Sequence, residues 1–398
     1  MTLTSQFYFC GMPFRLDSYR GCACGCLYCF ANSRSGNYFI DKQYADPNLI
    51  RKWFKQSQTC SKKNTNVIIE CLHRKMPLHF GGMSDPLLIP KSFNYVTLEI
   101  LKILDEYRYP TLISTKSDII SNEAFAKIIL GKKHFALQIS FSTFDDAIAA
   151  AIEPKTSSPS QRLVGVKSAI NHGNWVSCRL QPYFPSLNID SLVSLISAVG
   201  FKHLTIEHFK LPFDSRINLR LLERAFDVKL SDCFPSEKRI KRGREFEMPF
   251  EIRMANIRAF LDSSRKYNIS IGIGDNGFQH LSTSQCCCGI DSLPEFGNWN
   301  KYNVTEVVRR ALNNNGRIKY KLIADEWSPK SDISWVINSK TRLKGSFDSV
   351  KNHLKMQWKN NKNFSPSMFY NVSARRSGNT YDYFFNDQIR GRHDKEIM

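Results

Sequence analysis

The chain has 398 residues and a formal net charge of +20, from 56 Lys and Arg against 36 Asp and Glu; 42% of its residues are hydrophobic and 12% aromatic. That length and apolar share suit a globular protein with a large α/β barrel plus an extension, and the absence of any apolar run near the ~20 residues that cross a bilayer argues against a membrane span. Twelve cysteines behind a start, Met1-Thr2-Leu3-Thr4-Ser5-Gln6, without signal-peptide character point to a reducing compartment, the cytoplasm, where thiols serve metals or catalysis.

In chain order the first feature is Tyr19-Arg20-Gly21-Cys22-Ala23-Cys24-Gly25-Cys26-Leu27-Tyr28-Cys29-Phe30. Cys22, Cys26 and Cys29 stand in a C-x3-C-x2-C spacing with an aromatic before the last cysteine. Three thiolates in one short loop can hold three irons of a [4Fe–4S] cluster. The fourth iron is then open to a substrate or cosubstrate. Cys24 supplies a competing set, Cys24-x-Cys26-x2-Cys29. Zinc is the main rival metal, since short Cys spacings also serve it. It wants a second Cys/His pair downstream, and Cys60 and Cys71 are poorly spaced for that.

Strands and helices then alternate. Pro77 to Gly82 reads as a strand ending in a glycine turn, and Tyr95 to Tyr107 as an amphipathic helix. Thr111 to Lys116 is a strand, followed by a helix near Asn122 to Leu130. Phe135 to Thr143 is the next strand, Arg162 to His172 a helix, and Trp175 to Tyr183 another strand. Leu192 to Val199 is helical, His203 to Phe209 a strand, Phe250 to Tyr267 a helix and Ile269 to Asp275 a strand. Such alternation implies parallel βαβ units, and at least six strands nearly close a barrel. Functional residues are expected at the C-terminal ends of those strands. Arg179 and Gln181 alternate to one face of their strand and point into such a barrel.

Residues 210 to 250 interrupt the alternation and carry the basic run Lys238-Arg239-Ile240-Lys241-Arg242-Gly243-Arg244, read as an insertion whose bland alternative is a solvated loop. Cys286-Cys287-Cys288-Gly289 follows the last barrel strand. Three uses compete for it: hydrogen donation to a radical, ligation of an auxiliary cluster, with Cys10, Cys178 or Cys233 as partners, and burial as small apolar side chains. From about residue 300 the alternation fades, apart from one helix over Lys301 to Asn313. Lys355, Trp358, Lys359, Lys362, Phe364, Phe369, Tyr370, Arg375, Arg376, Tyr381, Tyr383, Phe384 and Phe385 interleave cations with rings. That suits a nucleic-acid surface as well as a small cap with an aromatic core. The domain reading is a barrel over 1–300, with the cluster loop at 19–30, and a basic aromatic-rich extension over 301–398. The charge favours a polyanionic partner, DNA or RNA.

The cysteine loop resembles that of the radical S-adenosylmethionine (SAM) superfamily, whose spacing assigns Cys22, Cys26 and Cys29 to the cluster. The string Gly81-Gly82-Met83-Ser84-Asp85-Pro86, with Pro90 beyond it, and the pair Glu153-Pro154 with Arg162-Leu163 resemble the branch that holds spore photoproduct lyase and the DNA repair photolyase relatives. The resemblance implies a partial (β/α)6 TIM-like barrel. It also implies reductive cleavage of SAM to methionine and a 5′-deoxyadenosyl radical, fed by a one-electron donor such as flavodoxin or ferredoxin. Tyr28 then lies next to the adenine, Gly81, Gly82 and Ser84 meet the methionyl amino group, and Lys116, Ser140, Glu153, Arg162 and Gln181 complete the cosubstrate pocket. Arg162 either clamps the SAM carboxylate or bridges to Glu153, or does both. Cys288 is the candidate hydrogen donor. Two other readings are a peptide- or protein-modifying radical SAM enzyme with an auxiliary cluster, and a zinc nucleic-acid-binding protein without catalysis.

Overall fold

The computed structural model describes residues 1–4, 10–29, 31, 43–59, 66–89, 94–185, 188–212, 219–242, 245–296, 304–313, 317–318, 337–338, 358–359, 366–369 and 372–385. Cys60, Pro90, Gly243, Arg244, Lys355, Lys362, Phe364 and Tyr370 lie outside them.

The main sheet contains β1 (Thr2–Thr4), β2 (Phe14–Leu16), β3 (Leu78–Phe80), β4 (Thr111–Thr115), β5 (Phe135–Phe141), β6 (Val176–Tyr183), β7 (His203–His208), β11 (Ser270–Ile273) and β13 (Ile337–Asn338). Its order is β11-β7-β6-β5-β4-β3-β2-β1-β13. From β2 to β11 every neighbouring pair is parallel, and β1 closes on β2 antiparallel. Helices Asn94–Glu106, Glu123–Ile129, Pro159–Asn171, Ile189–Val199 and Phe250–Lys266 connect successive strands. The chain therefore adopts the α/β class and the partial-barrel architecture expected of it, with the order one strand per helical crossover. Strand β2 is an addition: Phe14-Arg15-Leu16 is too short to announce itself by pattern, and it sets the cysteine loop directly after a strand end.

Alternation along the strands sorts the two faces. Phe135, Leu137, Ile139 and Phe141 of β5 and Val176, Cys178 and Leu180 of β6 join one apolar cluster with the helices. The intervening positions, Gln138 and Ser140, Arg179 and Gln181, Thr205 and Glu207, are polar and face the lumen. The helices begin on side-chain caps that satisfy otherwise orphan N–H groups. Asn122 accepts from Ala124 and Phe125, Asp145 from Ala147 and Ile148, and Ser158 forms a capping box with Gln161.

The segment Cys286–Cys288 enters the lumen at the N-terminal ends of β7 and β11. The Cys287 carbonyl accepts from Thr205 Oγ1 at 2.7 Å and bonds His203 Nε2 at 3.0 Å. Gly272 makes room for it, because a Cβ there would sit 2.0 Å from the Cys287 oxygen. Between β7 and helix Phe250–Lys266 lies a small antiparallel sheet of β8 (Leu211–Pro212), β10 (Glu245–Glu247) and β9 (Ile240–Arg242). Among the described residues beyond 300 are helix Val304–Asn313 and a sheet of β12 (Arg317–Ile318), β15 (Thr380–Phe385) and β14 (Val372–Ser377). Trp358 and Tyr383 there are fully buried and meet edge to face at 5.6 Å, so these two rings are core. Arg375 and Arg376 are exposed on β14. No described helix is long and apolar enough to cross a membrane.

Candidate functional site

The cysteine loop is tied to the barrel rim at several points. Leu27 N–H donates to Ile152 O at 2.9 Å and Lys155 N–H to Cys24 O at 3.3 Å, while Gly25 faces Pro154. From the other side Asp85 N–H donates to Cys22 Sγ at 3.4 Å and Ser84 Oγ to Tyr19 O at 3.1 Å. Two half-buried carboxylates hold the glycine turn that makes these contacts. Asp17 accepts from the N–H groups of Met83 and Ser84. Asp85 accepts from Leu87, Leu88, Thr115 and Lys116. Gly81 has φ of +95°, and a Cβ on it would lie 2.5 Å from Ser114 O; only glycine takes this turn without strain.

The hub of the rim is Glu153, whose side chain has no exposed surface. It accepts from Arg162 Nη2 at 2.5 Å, Ser142 Oγ at 2.6 Å, Lys116 Nζ at 2.9 Å and the Tyr28 hydroxyl. Burial opposes its ionisation, but Lys116, Arg162 and the two hydroxyl donors prevail and hold the carboxyl well below its ordinary range. Of the roles open to Arg162, the geometry gives the bridge. Its guanidinium also donates to Ser157 O, Ser140 O and Thr156 Oγ1 and is buried without exposed surface. Glu153, Lys116 and Tyr28 are likewise engaged with one another, so they shape the pocket wall. Ser84 is 5% exposed and spends its hydroxyl on the loop. The half-buried Ser140 keeps its hydroxyl without a protein partner among the described residues. Gln181 donates to Glu207 and leaves Oε1 buried and unbonded. Gly81 and Gly82 present backbone at the same rim.

None of the eleven cysteines within the described residues forms a disulfide. Among those residues no three His, Cys, Asp or Glu side chains converge tightly enough for a single ion. A four-iron cluster takes each thiolate on a different iron and so spaces its ligands more widely than one ion does. Cys22, Cys26 and Cys29 share one loop, and the Cys26 thiol, raised first by its burial, feels both of the others; the donor set fits such a group. The Cys22 and Cys24 thiols are close enough to act on each other, which lowers Cys22 and raises Cys24.

The members of the second cysteine run stand in different surroundings. Cys288 is 4% exposed and lies in an apolar cluster with Met12, Leu112, Ala136 and Phe296. Cys287 is the half-buried member, and its thiol is in the field of Arg179 and Glu207. The side chain turned to the polar lumen is thus Cys287, and Cys288 is packed away from it, 3.8 Å distant sulfur to sulfur. Sequence reasoning also passed over Arg15, Asp17, His79 and Glu207, whose roles come from partners remote in sequence. A further buried pair, His208 and Asp275 at 2.8 Å, joins β7 to the turn after β11.

No protein-family model matches the chain. An uncharacterized protein of Methanocaldococcus jannaschii is 27% identical over 180 residues, 44% of this chain, and the match spans 62% of that protein. The chain is similar in structure to a spore photoproduct lyase in complex with a dinucleoside spore photoproduct, at TM-score 0.42 and 16% identity, over 62% of this chain and 72% of that one. It is also similar to Streptococcus suis SuiB bound to S-adenosylmethionine, at TM-score 0.39 and 14% identity, over 55% and 48% of the two chains.

Proposed function

We propose that the chain is a radical SAM enzyme in which Cys22, Cys26 and Cys29 hold a [4Fe–4S] cluster with one iron open to SAM. The observation that carries this reading is the loop of three thiols outside any disulfide, fixed to the rim where parallel strands end and above a polar lumen. When bound, the cluster and SAM supply a one-electron reductive cleavage whose deoxyadenosyl radical abstracts hydrogen from the substrate.

The chain's own residues do the positioning. The backbone of Gly81 and Gly82 offers carbonyl acceptors to an ammonium group. Ser140 donates to a carboxylate or ribose, and Gln181 Oε1 accepts from a hydroxyl or amine. Tyr28 lends a ring face beside the loop. Glu153, Lys116 and Arg162 keep that wall rigid, and a rigid wall fixes the reacting bond and keeps water from the radical. A cytoplasmic flavodoxin or ferredoxin is the fitting electron donor, and nucleic acid the fitting substrate for a chain of charge +20.

The test is anaerobic reconstitution, metal analysis, and reduction in the presence of SAM. About four irons per chain and formation of 5′-deoxyadenosine are expected, and Cys26→Ala abolishes the nucleoside. Zinc in place of iron, or unaltered turnover in that variant, would refute the assignment; about eight irons would favour an auxiliary cluster and the peptide-modifying reading.

A further inference from the structure

The cations around the rim have their carboxylates: Lys116 and Arg162 meet Glu153, Lys210 meets Glu207, and Arg253 meets Glu247. Two guanidinium groups in the lumen do not. Arg15 of β2 stands in register with His79 of β3. Its Nε is buried with no hydrogen-bond partner among the described residues, and its Nη2 lies 4.0 Å from Cys10 Sγ. Across the lumen Arg179 of β6 donates one bond, to Gln138 Oε1 at 3.0 Å. Neither has an ion-pair partner among the described residues. Asp17 is in the field of Arg15 but forms no ion pair with it among the described residues; its Oδ1 accepts from the Met83 and Ser84 amides.

Between the two stands His79, 5% exposed and bonded to Ser114 Oγ at 2.8 Å. Ser114 Oγ in turn donates to Gln138 Oε1 at 2.9 Å, the atom that accepts from Arg179, so a line of hydrogen-bonded side chains runs across the lumen from Arg179 to the strand neighbour of Arg15; burial first, then Arg15 and Arg179, hold the His79 imidazole well below its ordinary range. Gly82 lies over the Arg15 stem, where a Cβ would meet Arg15 Cδ at 3.2 Å. The arginines sit within their strands, below the strand-end residues that face the cysteine loop. Two partly desolvated positive charges with no ion-pair partner among the described residues favour an anion beside them. Planar forks of N–H donors match carboxylate and phosphate oxygens.

We propose that Arg15 and Arg179 form an oxyanion-binding subsite inside the lumen that holds a phosphate or carboxylate group of the substrate. The word substrate rests on the radical SAM reading; the subsite itself does not. The probes are inorganic phosphate and acetate, titrated separately into the full-length chain and followed by calorimetry and by thermal stabilisation. Saturable binding of at least one is expected. It should fall about tenfold or more in Arg15→Gln and in Arg179→Gln, and stay unchanged in Arg310→Gln on an exposed helix face. Preference between the probes identifies the substrate's acid group. Arg179→Lys, which keeps the charge, should retain folding and bind more tightly than Arg179→Gln. No saturable binding, or equal loss in Arg310→Gln, overturns the subsite. Displacement of the anion by SAM from the reconstituted enzyme overturns its assignment to substrate. Because the first titrations need neither cluster nor SAM, their failure leaves the cluster assignment standing, and a failure of SAM cleavage leaves the subsite standing.

Discussion

Glu153 shows how one carboxylate can organise a site without touching reactants. Its single negative charge is shared by Lys116 and Arg162, and removing one member of a buried ionic set costs far more than the set contributes, about 3–5 kcal/mol. Glu153→Gln is expected to lower stability in urea by that order and to loosen Tyr28 beside the cysteine loop. Asp275 gives a pH signature of its own. Burial would raise its carboxyl, but His208, Arg253 and Lys210 bring it down to about 2. Its folded pKa is below its unfolded value of 3.8, so its contribution is complete above about pH 4 and disappears as pH falls through about 2. Between about pH 5 and below about pH 2 the wild-type chain should lose about 2 kcal/mol more than Asp275→Asn, which urea titrations at each pH will measure. The Glu153 to Arg162 contact was open to sequence reading because nine residues separate the two. Asp17 and the link from Asp85 to Thr115 and Lys116 were not, since those partners are brought up only by the tertiary fold.

At the level of elements, the β-branched and aromatic runs of β4 to β7 and β11 were readable because both sheet faces demand them: helices cover one side, and a polar lumen imposes alternation on the other. Strand β2 escaped, being three residues long, and with it the lumenal place of Arg15. The thiol that turns inward at Cys286–Cys288 was also unreadable, because side-chain direction in an irregular segment follows from its docking on β7 and β11. That docking depends on Gly272. Gly272→Ala places a methyl group on the Cys287 carbonyl and should displace the segment, at about 1–3 kcal/mol. Faster alkylation of Cys287 by iodoacetamide than in the wild type is the expected readout; an unchanged rate would mean that the segment is held elsewhere.

For the molecule as a whole, the excess of positive charge was plain from composition, while its distribution was not. Trp358 and Tyr383 turned out to be core, whereas Arg375 and Arg376 are each exposed on β14. If nucleic acid is the partner, affinity for a short oligonucleotide should fall steeply between 50 and 200 mM salt, by about a thousandfold for six or more phosphate contacts. Salt-insensitive binding would remove that partner.

The cysteine loop owes its shape to Ile152, Lys155, Glu153, Ser84 and Asp85, none of which is a sulfur ligand. A socket framed by peptide and carboxylate does not rely on a bound inorganic centre for its form. If the loop holds the proposed cluster, oxygen damage to it should leave the fold standing, and recharging with iron and sulfide should restore it with no need to fold again.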